Sequence, residues 1–162
     1  MDIRKAKFED LDEICEIYKT AKRFMEEHGN TKQWTDSDAI KRENLEKDIE
    51  IGQLYVAVQN DEIMLVFAYI LGEDPTYGVI EDGAWLNDEP YGTIHRIASA
   101  GKARGMVKLA TDWALTQLPN LRMDTHHDNY VMQNALTAQG FTRCGIIYLL
   151  NGDPRIAYQK LV

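Results

Sequence analysis

The chain has only two cysteines, Cys15 and Cys144, in 162 residues, too few for a disulfide framework or a Cys-based zinc pattern. Its longest apolar runs are a few residues, far below the roughly 20 that a bilayer-spanning helix needs. The opening Met1-Asp2-Ile3-Arg4-Lys5 holds no apolar core with a cleavage site, so no secretory signal is expected. An excess of positive charge is also missing. The 18 Lys and Arg stand against 26 Asp and Glu, a net of −8, which argues against a nucleic-acid surface and favours a cationic partner such as an amine. Repeats, low-complexity tracts and linkers are absent. One reduced, cytoplasmic domain spanning residues 1–162 is the expectation, with neither membrane nor nucleic acid as a partner.

Against this acidic background one basic stretch stands out. Thr93 to Ser99 reads as a strand, Gly101-Lys102-Ala103-Arg104-Gly105 as a turn, and Met106 to Leu118 as a helix closed by Pro119. Apolar Met106, Leu109, Ala110, Trp113 and Ala114 follow the 3.6-residue period. Glycine lets backbone amides approach an anion, and a helix start adds free N–H donors and partial positive charge. Such a turn can hold the phosphate of a ligand.

Before this stretch, Asp2 to Lys7 reads as a first strand. A helix follows on Leu11, Ile14, Cys15, Tyr18, Ala21 and Met25, with Asp10 and Glu13 as its capping box. Ser37 is placed as the cap of a second helix carrying Ile40, Leu45 and Ile49. Gln53 to Gln59 and Glu62 to Leu71 form a hairpin around Asn60-Asp61. Gly72 to Gly92 is a long aromatic and acidic loop with a short strand near Tyr77 to Ile80; loops of this length are often functional. Beyond the basic stretch come a strand from Leu121 to Thr125, a helix from Asn129 to Gln139, and a hairpin of Phe141 to Leu150 and Arg155 to Leu161. The pattern predicts an α/β (α+β) fold, a mixed and mostly antiparallel sheet of about six to seven strands flanked by about four helices.

This order resembles that of GNAT-type N-acetyltransferases over nearly the whole chain. Their pyrophosphate loop, Q/R-x-x-G-x-G/A, aligns with Lys102-Ala103-Arg104-Gly105-Met106-Val107, and their later Asn-to-Gly-Phe segment with Asn129 through Gly140-Phe141. The resemblance implies an acetyl-CoA-dependent N-acetyltransferase of GNAT-like acyl-CoA N-acyltransferase fold, moving an acetyl group to a small-molecule primary amine by direct attack in a ternary complex. It implies that Lys102, Ala103, Arg104, Gly105 and Met106 hold the pyrophosphate, and that Ile97, Ala98, Ser99 and Asn129 hold the pantetheine arm. Leu136 stands where the family often has an acidic tyrosine, so that role does not carry over.

Attack by an amine needs a base and a proton donor. His95 is one candidate base, and Glu81 or Asp82 acting through water is another; Tyr148 or Tyr130 is the candidate acid. Trp34, Tyr77, Asp82, Trp85 and Asp124 are expected around the acceptor, Asp124 as a holder of cationic substrate. His126-His127-Asp128 is consecutive at a strand end, so its side chains diverge; no metal is expected, and Asp128 is read as a helix cap. The edge strands of the final hairpin leave room for a homodimer. The alternatives are a non-catalytic acyl-CoA-binding or interaction domain of the same fold and, more remotely, a nucleotide-dependent phosphotransferase.

Overall fold

A computed structural model describes residues 1–34 and 40–162. Strands β1 (Asp2–Lys5), β2 (Leu54–Gln59), β3 (Glu62–Leu71), β4 (Gly92–Ser99), β5 (Asn120–Thr125), β6 (Thr142–Tyr148) and β7 (Pro154–Leu161) form one sheet. Its order is β1-β2-β3-β4-β5-β7-β6. Helices α1 (Leu11–Glu27) and α2 (Arg42–Glu50) cover one face, α3 (Met106–Gln117) and α4 (Tyr130–Ala138) the other. The order of elements is the one read from the sequence. The proposed cap of α2, Ser37, lies outside the described residues.

The two faces explain the composition of β3. Leu65 and Phe67 pack towards α3, Val66 and Ala68 towards α1 and α2, and all four are fully buried. A strand covered on both sides is apolar throughout rather than alternating. On α1 the inward stripe is Leu11, Ile14, Ile17 and Tyr18, and on α3 it is Met106, Ala110, Ala114 and Leu115, each at helical spacing.

Three local expectations are corrected. Asp10 and Glu13 form no capping box: Asp10 takes a bidentate pair of hydrogen bonds from Arg4 at 2.7 and 3.0 Å and one from Lys7 N. Glu13 instead accepts from Ile63 N at the start of β3. The residues near Tyr77 form no strand; Pro75–Tyr77 is a single 3-10 turn capped by Asp74, and one bridge, Glu81 to Ile146, follows. Asp128 does not cap α4 with its side chain, a role taken by Asn129, which accepts from Met132 N at 3.1 Å.

The feature that positions the site is in β4. Ala68 of β3 opposes His95 and Val66 opposes Ala98, so Arg96 and Ile97 together face Phe67. Arg96 has φ 52°, a left-handed conformation costly for a side chain of its size. Both helices of one face hold it there. The Tyr18 hydroxyl of α1 donates to the Arg96 carbonyl at 2.6 Å, and the Arg96 guanidinium meets Asp48 of α2 at 2.6 Å. A bulge sharpens local twist and bends its strand. β4 pairs with β5 through Gly92–Leu121 and Thr93–Arg122; beyond these residues the two parallel strands diverge, while β5 stays paired to β7 along its length.

Tyr18 is fully buried, so Tyr18→Phe leaves a carbonyl without its donor, a loss of about 1–2 kcal/mol. For a chain of this size that lowers Tm by about 3–6 °C in thermal unfolding. A drop below about 1 °C would show that the hydroxyl contributes little to the bulge.

Candidate functional site

Where β4 leaves β5, a cavity of about 670 Å³ opens. Ile97, Ala98 and Ser99 at the end of β4 line it, with the turn and first residues of α3, the start of α4, and Ala21 to His28 on the last turns of α1. Most of its wall is apolar. At one end the basic turn supplies the polar groups. Gly101 and Gly105 have φ 76° and 77°, where a side chain is strained, and no atom lies within 4 Å of where either Cβ would stand. Gly105 is the N-cap of α3; it offers no side chain to the first-turn amides, and that turn carries no acidic residue. The helix therefore presents free N–H donors and its positive end towards the cavity.

These residues fit a ligand with an anionic end and a long apolar body, as acetyl-CoA has. Ala103, Arg104, Gly105 and Met106 line the cavity, and so does Val107. Lys102, expected to share the phosphate, is turned away and meets Glu62 at 3.2 Å on the surface. Asn129 lines the cavity, but its side chain already caps α4 and donates to Gln33 Oε1 at 3.0 Å. Gln33 also accepts from Asn30 and Thr125, docking the residues after α1 against the end of β5. Asn30, buried in the same wall, has an Oδ1 with no partner among the described residues, an acceptor suited to a ligand N–H.

On the other side of the bulge lies a second polar cluster. His95 Nε2 stands 2.9 Å from Asp74 Oδ2. Asp74 also accepts from Thr76 N and Oγ1 at 2.8 and 2.7 Å. Burial alone would raise its pKa, but the hydrogen bonds from His95 and Thr76 outweigh that and bring it down to about 2. An ionised Asp74 accepts, so His95 donates to it through Nε2–H, which leaves Nδ1 on the open side of the ring. That nitrogen looks across 3.9 Å at Asp124 Oδ2, and the same carboxylate accepts from the Tyr77 hydroxyl at 2.5 Å. Burial, then the Asp124 charge, holds the Tyr77 phenol well above its ordinary pKa, so it stays a donor.

The loop from Gly72 to Tyr91 delivers Asp74 and Tyr77, and the sheet pins it. Arg122 of β5 stacks on Trp85 at 4.2 Å and Tyr91 at 4.0 Å and donates to Asn87 O. Gln159 of β7, fully buried, accepts from Leu86 N and donates to Asn87 and Asn120. Gly83 passes so close to β6 that a Cβ there would overlap the Cys144 carbonyl.

Other expected site residues lie elsewhere. Trp34 is buried edge-on against Tyr18 in the core beneath α1, not on an open pocket. Trp85 anchors the loop through Arg122 and donates to Tyr77 O. Glu81 and Tyr148 bond each other at 2.9 Å on the outer strand β6, two strands beyond β5, with Asp82 exposed beside them. Tyr130, by contrast, stands in the cavity wall on the first turn of α4. The donor atoms of His126, His127 and Asp128 come within 4.8 Å of one another, but the imidazoles stack and His126 Nδ1 already accepts from Asp128 N. Asp74 was missed by sequence reasoning. Asp74-Pro75-Thr76 is legible as a capped turn, but nothing local shows that it ends on His95, 21 residues away.

No protein-family model matches the chain, and no curated protein matches its sequence. Solved structures do. A GNAT-family acetyltransferase from Streptococcus agalactiae superposes with a TM-score of 0.90 at 29% identity, covering 99% of this chain and 95% of that one. An acetyltransferase described as putative, from Staphylococcus aureus, gives 0.71 at 23%, covering 99% of both. The ribosomal-protein-alanine N-acetyltransferase of Brucella melitensis gives 0.63 at 19%, covering 100% of both.

The lowered Asp74 pKa has a consequence for stability. A carboxyl depressed on folding stabilises fully above its unfolded pKa, near 4, and loses that contribution as pH falls through about 2. Asp74→Asn should therefore cost about 2 kcal/mol at pH 7, and the gap from wild type should narrow below about pH 4 in urea unfolding. A gap constant from pH 7 to about 2.5 would contradict this assignment.

Proposed function

We propose that this chain, whose fold is that of the GNAT-type N-acetyltransferase superfamily, transfers an acetyl group from acetyl-CoA to a primary amine of a small molecule. The observation that carries this reading is the cavity at the β4–β5 split, with an uncapped helix start and Arg104 at one end and apolar walls beyond. Acetyl-CoA would lie there, its phosphates on the amides of Gly105 to Val107 and on Arg104, its arm along Ile97 to Ser99. Bound, it supplies an acyl group activated as a thioester.

The chain's own groups supply the rest. Asp124 draws a cationic amine, and His95 Nδ1 takes its proton, with Asp74 holding the ring in the required tautomer. The bulge at Arg96 leaves backbone groups without a strand partner beside the reacting end of the cleft. Tyr130, in the cavity wall, is the acid of this reading, whereas Tyr148 is engaged with Glu81. A cytoplasmic location goes with this reading. Both cysteines are free, and no described helix is long and apolar enough to cross a membrane. A non-catalytic acyl-CoA-binding role is the second reading, favoured by the fully buried Leu136 at the family's tyrosine position; turnover with any amine excludes it.

Calorimetric titration with acetyl-CoA should give a Kd that Arg104→Ala weakens by about tenfold or more and Lys102→Ala by less than about threefold. Equal loss in both variants would contradict the placement of Lys102 on Glu62. In steady-state assays with an accepted amine, His95→Ala should lower kcat by about 10²–10⁴-fold with the acetyl-CoA Kd unchanged. A variant as active as wild type would remove His95 from the mechanism.

A further inference from the structure

Arg155 is a buried charge that neither the fold nor the transfer chemistry explains. It is the second residue of β7 and is 6% exposed. Its guanidinium donates one hydrogen bond, 2.9 Å, to the carbonyl of the adjoining Pro154, and it forms no ion pair with a described carboxylate. Arg96 has an ion pair with Asp48 and Arg122 two aromatic rings and the Asn87 carbonyl, although the Nε of each is buried without a partner among the described residues. A guanidinium taken from water with a single carbonyl partner and no carboxylate is costly, and its planar fork matches a carboxylate.

Its place in the sheet relates it to the acceptor. Asp124 opposes Ala157, which makes Arg155 the diagonal neighbour of Asp124 on the same face, at about 7–8 Å between backbones. Asp124 and Asp153 act on it only through their fields, too weakly to offset burial, which pushes its pKa down. Arg155 lines a cavity of about 210 Å³ with His127 at the strand ends, and the next residue in sequence, Asp128, lines the acyl-CoA cavity.

We propose that the acceptor is an amino acid with a free carboxylate: Arg155 binds that carboxylate while Asp124 and His95 receive the amino group. This deepens the acetyltransferase reading and rests on it. One side of the acceptor site is anionic and the other cationic, which complements a zwitterion. A protein N-terminus, whose first carboxyl is an amide, lacks the group that Arg155 takes and leaves the guanidinium without a carboxylate.

The test titrates the twenty free L-amino acids and their α-amides into the protein, with and without saturating CoA, for wild type, Arg155→Met and Arg155→Lys. At least one free acid should bind wild type about tenfold or more tighter than its amide. That preference should vanish in Arg155→Met and be only partly kept in Arg155→Lys, whose point charge cannot form the fork. The wild-type comparison of acid with amide stands even if a variant fails to fold. Equal binding of acid and amide, a preference retained in Arg155→Met, or no acid binding at all would overturn the proposal. Titration with acetyl-CoA reports separately on the cofactor. If acetyl-CoA fails to bind while the acid preference persists, the transferase reading falls and the carboxylate site remains.

Discussion

The architecture of the site depends on one strained residue, Arg96, held with φ 52° in the middle of a strand. A left-handed conformation at a large side chain persists only when its surroundings over-determine it. Here α1 binds its carbonyl and α2 its guanidinium. The resulting bulge has two effects. It turns the end of β4 away from β5 and opens the cavity between parallel strands. It also changes the alternation of β4, so that His95 joins the Asp74–Asp124 cluster while Ile97 lines the cavity. Tyr18 of α1 and Asp48 of α2 therefore shape the cleft although neither lines the cavity.

Charge is distributed in keeping with this division of labour. The body is acidic at −8, yet the cavity end at the start of α3 has no acidic residue in its first turn and carries Arg104 in its wall. Across the bulge, Asp74 and Asp124 flank a histidine. The two ends of the cleft thus carry local fields of opposite sign that the net charge does not reveal. The long loop that brings Asp74 is kept in place by burial of Tyr77, by Arg122 between two rings, and by Gln159. Its position does not depend on regular secondary structure.

Much of the fold was legible in the sequence because its signals are local. Helical periodicity marked α1 and α3, the Asn60-Asp61 turn marked the β2–β3 hairpin, and Gly101 and Gly105 marked the turn now found in left-handed geometry. Ala103 to Met106 were read from that turn and Ile97 to Ser99 from the family resemblance, and all of them line the cavity. What was not legible depends on contacts distant in sequence. Lys102 and Arg104 are equivalent cations on paper; Glu62, 40 residues earlier, separates them. Trp34 looks like a loop aromatic until Tyr18 packs on it. Glu81 and Tyr148 were each plausible as acid or base, and each is the other's partner. Asp74 gained its importance from His95, and Arg155 from its register against Asp124.

The claim on which the functional reading depends is that the split between β4 and β5 is an acyl-CoA site. Amide hydrogen exchange with and without CoA tests it most directly, because the expected ligand contacts are backbone groups. Protection should rise at Ile97 to Ser99 and at Gly105 to Lys108, and remain unchanged in β6 around Tyr148. Protection confined to another surface, or none at saturating CoA, would contradict the assignment and leave the resemblance as one of fold alone.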